Sequence, residues 1–135
     1  MVFITTAYTS LLFAIPAALL RCSLASACFA VIVPVSFVVH AVGGAQWAID
    51  KTLAGRTLVR LDKLLANCAA ASTVFGVYRN AFVAYYSVPF YCLLGLSFVM
   101  YHVFYPKPPK CWVKHHAAFH IVVVTGCWFA YMCGA

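Results

Sequence analysis

Few side chains in this 135-residue chain can do chemistry: five histidines, two aspartates and seven cysteines. The spacing of two histidines is the sharpest signal. In His116-x2-Phe119-His120 the imidazoles stand at i and i+4, so on a helix they face the same way and can hold one metal ion. Ser36-x3-His40 offers a third imidazole, and Asp62 a carboxylate. Three histidines and one carboxylate form a plausible zinc site with a water to activate. His40 also has a second set of neighbours. Gly44 follows one helical turn later and Asp50 lies beyond it. A ligand nitrogen beside a surface with no side chain suits a flat macrocycle: imidazole takes a haem iron and the glycine lets the ring edge approach the backbone. At 1.5 Å rise per residue Asp50 sits about 15 Å further along, suited to a proton-exchanging carboxylate or a headgroup-level cap. Plainer readings stay open. His40 can be an interfacial polar residue with Gly43-Gly44 as a helix stop, and His115, His116 and His120 can bind headgroups beside Lys114.

These residues must be positioned by apolar helices. Only 8% of the chain is charged, against about 25% in soluble domains, and 66% is hydrophobic. The expectation is an all-α integral membrane bundle of about five spans in one domain over residues 1–135. The spans run from about Phe3 to Leu20, Leu24 to Val42, Leu58 to Tyr78, Ala81 to Phe104 and Trp112 to Met132. The run Pro106-Lys107-Pro108-Pro109-Lys110 cannot be helical and separates the last two. Tyr78, Tyr105, Trp112 and Tyr131 fall at span ends, as interfacial aromatics do. Lys51, Arg56, Arg60, Lys63, Lys107, Lys110 and Lys114 gather on one side, against Arg21 and Arg79 on the other. That bias places the N-terminus on the cytoplasmic or matrix side. It also brings His40, Asp62, His116 and His120 to one membrane face. The net charge of +7 is spread over connections, so it reads as orientation and headgroup contact, not nucleic-acid binding. The cysteines form no CxxC pair and read as small hydrophobes.

From Ser10 to Tyr78 the chain resembles the small cytochrome-b anchor subunit of succinate dehydrogenase. The pieces, in order, are Ser10-Leu-Leu with Pro16-Ala17-Ala18, the Cys22-Ser23 turn, His40-x3-Gly44, Asp50, and Gly55-x2-Leu58-x-Arg60-x2-Lys63 leading to Thr73 and Gly76. The resemblance implies an anchor-like three-helix core over residues 1–80, with two further helices over 81–135. It implies that His40 ligates a haem b shared with a larger anchor subunit, with Gly44 admitting the ring, and that an iron–sulfur subunit docks nearby. It also implies ubiquinone contact near Asp50. Lys51 stands where that family has a Tyr, and the indole N–H of Trp47 is the substitute donor.

The second set of residues resembles the superfamily of adiponectin-receptor-like proteins, haemolysin III and alkaline ceramidases. The carriers are Ser36-x3-His40, Asp62 at the start of the next span and His116-x3-His120 in the last. This resemblance implies zinc held by His40, His116 and His120 near Asp62, and hydrolysis of lipid amides. The two resemblances compete for His40. The sequence expectation is the first: a non-catalytic anchor of a respiratory complex in the mitochondrial inner membrane, binding haem b and ubiquinone among lipids and partner subunits. The alternatives are a zinc-dependent intramembrane lipid-amide hydrolase and an accessory subunit that only packs, using close contacts at Ala69-Ala70-Ala71-Ser72.

Overall fold

The computed structural model describes residues 2–42, 52–80, 84–104 and 112–135. Those residues are all-helical, with no strand among them. The first helix, α1, joins Val2–Ser10 to Ala14–Leu19 through a 3-10 turn at Leu11–Phe13. Pro16 explains the turn. It has no N–H to give back one turn, and the chain tightens just before it. The second helix, α2, spans Ser23–Val42 and holds Pro34. The third, α3, spans Leu53–Arg79. The fourth, α4, spans Ala84–Val99 and continues as a π turn over Met100–Phe104. The fifth, α5, spans Trp112–Met132.

One boundary differs from the sequence expectation. Helix α3 starts at Leu53, a turn before Leu58, because Thr52 caps it: the Gly55 N–H donates to the Thr52 hydroxyl oxygen at 2.9 Å. Hydrophobicity could not show this start, since the first turns carry Arg56 and Arg60. The proline-rich connection expected between the last two helices lies outside the described residues.

Helix α2 is central, packed against α1 on one side and α3 on another, while α5 packs on α4 and α1. Helices α3 and α4 barely touch among the described residues. The core is built from Phe13, Phe29, Ile32, Ala69, Val77, Phe90, Cys127 and Ala130. The end of α5 closes it. Gly134 takes a left-handed φ of 86°, its N–H donates to the Tyr131 carbonyl, and the Ala135 N–H donates to the Ala130 carbonyl. This is a Schellman motif. It is tied to the α1–α2 turn by the Arg21 N–H, which donates to the Ala135 carbonyl at 2.9 Å.

Polar side chains share the interior with this apolar core. Thr6, Ser10, Ser36, His40, Ser72, Thr73, Ser97 and His120 are buried. Large apolar side chains such as Leu24, Leu64, Phe75, Val88, Phe98 and Trp128 face outward. Several buried hydroxyls donate to their own helix, as Thr73 does to the Ala69 carbonyl at 2.7 Å and Ser97 to the Leu94 carbonyl at 2.7 Å. Among the described residues, one helix, over Ser23–Ala41, is long and apolar enough to cross a membrane.

Candidate metal centre

Two helix ends meet at the site. His40 lies in the last turn of α2, and His116 and His120 lie in the first turns of α5. Spacing of four residues stacks the α5 pair on one face, and that face looks at α2. The Nε2 atoms of His40 and His116 are 3.0 Å apart. The ring centroids of His116 and His120 are 4.5 Å apart, and those of His40 and His120 are 5.5 Å apart. One ligand nitrogen from each ring can be chosen so that all three lie within 4.8 Å of one another. His40 and His120 are buried, His116 half-buried.

That spacing fits a small ion. Zinc binds imidazole nitrogen at about 2.0 Å in tetrahedral geometry, which sets ligand nitrogens about 3.3 Å apart. The His40 and His116 nitrogens are already close to this. At 3.0 Å they share a hydrogen bond, one ring lending a proton and the other a lone pair. Three imidazoles leave a fourth position for water or substrate, the pattern of a catalytic zinc centre.

Helix α1 closes the site from behind. Phe13 meets His120 edge-on with centroids 4.8 Å apart. The Thr9 Oγ1 lies 2.9 Å from His120 Nδ1. One residue further, the Ser10 and Ser36 hydroxyls are 3.2 Å apart. Asp62 of α3 lies beside Ser36. Asp62 is therefore not one of the grouped nitrogen ligands' immediate partners in the structure. It joins the site through Ser36, one turn before His40 on α2. Tyr101, in the π turn after α4, lies within electrostatic reach of Asp62.

Below the histidines runs a cavity of about 490 Å³. Its polar end holds Ser36, His40, Asp62, Lys63, His116 and His120. Its far end is apolar, lined by Phe29, Val74, Phe90, Leu94 and Cys127. From His40 to Phe29, helix α2 descends about 16 Å, at about 1.5 Å per residue. The cavity also touches Ala70 of α3 and Leu93 of α4, the two helices that barely meet.

No known family, curated protein or solved structure matches this chain. Its chemistry has to be read from its own residues.

Of the residues singled out in the sequence, the structure brings together His40, His116 and His120, with Asp62 held at Ser36. Gly44, Trp47 and Asp50, the residues expected to serve haem and ubiquinone, lie outside the described residues. His115 is exposed, one position from the site. Thr9 and Tyr101 escaped the sequence reading, and Ser10 entered it only as part of a resemblance. For Thr9 a signal existed. Thr6, Thr9 and Ser10 stand at i, i+3 and i+4 and share one helical face, a signal blurred by Thr5 and Tyr8 in the same run.

Proposed function

We propose that this protein is a zinc-dependent hydrolase embedded in the membrane, acting on lipids with an acyl-amide bond. The observation that carries the reading is the convergence of His40, His116 and His120 at the head of an apolar cavity. Ionisable side chains inside a membrane are costly and cluster where they work. A five-span bundle accounts for the buried hydroxyls and imidazoles and for the large apolar side chains on the outside.

The three imidazoles would hold the ion, and a bound zinc ion supplies Lewis acidity and a water that ionises near neutral pH. The remaining roles belong to the chain. Asp62, beside Ser36, takes a proton as the base at the site's edge and returns it to the departing amine. The apolar end of the cavity receives an acyl chain along about 16 Å of helix, at about 1.5 Å per residue. The seam between α3 and α4 lets that chain enter sideways from the bilayer.

Of the residues expected to serve haem and ubiquinone, only His40 is among the described residues. Its Nε2 faces another imidazole nitrogen at 3.0 Å, which favours a compact ion over a macrocycle at that atom. The test is metal analysis of the full-length chain purified in mild detergent, with an optical spectrum and an assay on acyl-amide lipids. About one zinc per chain with amide hydrolysis is expected. A haem b spectrum without zinc would return the reading to the respiratory anchor.

A further inference from the structure

We infer that Thr9 is a positioning residue that fixes the tautomer of His120, so that its Nε2 is the atom presented to the metal. The inference rests on the metal-centre reading and adds a part of α1 to it. The argument is one of counting hydrogens. The Thr9 hydroxyl has a single proton, and the Thr6 carbonyl at 3.0 Å gives that proton a place to go. Its oxygen lies 2.9 Å from His120 Nδ1 and is then free to accept from it. A histidine that offers the lone pair of Nε2 to a metal carries its proton on Nδ1, and this arrangement is built to receive that proton. The Thr6 carbonyl is itself held, since the Ser10 hydroxyl also donates to it at 3.0 Å. Phe13 against the ring edge blocks rotation on the same side. Metal-bound histidines characteristically donate their other N–H to an oxygen, which fixes ring orientation and raises ligand basicity. Here α1 provides that oxygen for α5.

Two measurements on the full chain in detergent test this. In the metal-free protein, long-range proton–nitrogen correlation spectra of histidine should place the His120 proton on Nδ1. In Thr9→Val, which keeps the shape and loses the hydroxyl, the ring should become a tautomer mixture. Zinc affinity, from competition with a chromophoric chelator, should fall about 10- to 100-fold in Thr9→Val. Thr9→Ser should restore both, which separates positioning from packing. A wild-type His120 protonated on Nε2, or Thr9→Val binding zinc within twofold of wild type, overturns this inference while leaving the metal centre standing. A wild-type chain that binds no zinc overturns both.

Discussion

Replacing His116 with alanine, with His115→Ala as its neighbour control, tests the metal centre most directly. The two histidines are adjacent in sequence and would respond alike if they only met headgroups at a membrane surface. The structure separates them: His116 points Nε2 at His40 from 3.0 Å, and His115 is exposed. The magnitude follows from ligand number. Structural zinc bound by four ligands is worth about 10–16 kcal/mol, roughly 3 kcal/mol per ligand. Each 1.4 kcal/mol is tenfold, so losing one of three imidazoles should weaken zinc binding by about two decades. The His40 and His116 nitrogens already stand within about 0.3 Å of the tetrahedral separation, so removing His116 takes away the better placed pair. The assay is chelator competition on detergent-purified chain, with far-ultraviolet circular dichroism to show that helix content is kept. His116→Ala should bind about 100-fold more weakly and His115→Ala as wild type. Equal zinc affinity in His116→Ala and wild type would refute the triad, and an equal loss in both variants would point to surface coordination instead.

Two further outcomes follow from the same geometry. Asp62→Asn keeps the side chain's size and its contact with Ser36 but removes the base; amide hydrolysis should fall about 10²- to 10⁴-fold with zinc content unchanged, and an Asn variant hydrolysing at wild-type rate would remove Asp62 from the chemistry. Gly134→Ala forces a Cβ into a left-handed φ of 86° and should cost about 1–2 kcal/mol, read as a lower midpoint in denaturant titration; an unchanged midpoint would show that the α5 terminus is not held by its Schellman motif.

How much of this could be read from sequence depended on the range of each interaction. Composition and periodicity are local, and they located the helices to within a few residues, including α5 at Trp112–Met132. The α3 start was missed because a capping hydroxyl at Thr52, not hydrophobicity, sets it. The pairing of His116 with His120 was legible because four-residue spacing on one helix is a local fact. The joining of His40 to that pair spans most of the chain, and in sequence it was one of two competing partnerships for the same imidazole. Spacing could not choose between Gly44 one turn away and a histidine pair in the last helix. The packing of α5 against α1, with α1 and α2 packed together, brings the rings to one place. Thr9 was hidden for the same reason. Its partner, His120, lies at the other end of the chain, and a helical threonine usually bonds to its own backbone, as Thr9 also does at Thr6.

The part played by α1 bears on how so small a bundle can hold a site at all. A metal centre at the junction of two helix ends is exposed to shear, since either end can fray. Here the junction is braced from a third helix at successive positions: Thr9 on His120, Ser10 on Ser36, and Phe13 on the His120 ring. Asp62 of α3 lies beside Ser36. The hydroxyl pair thus links α1 and α2 beneath the histidines, and every buried polar side-chain atom among the described residues has a partner. If the bundle sits in lipid as proposed, an unpartnered hydroxyl there has no water to turn to, and each of these links would resist displacement more than in a wet site. A catalytic zinc centre needs its ligands held while one position stays open. On the proposed function, the polar groups packed against the imidazoles would supply the holding, and the cavity between α3 and α4 the opening.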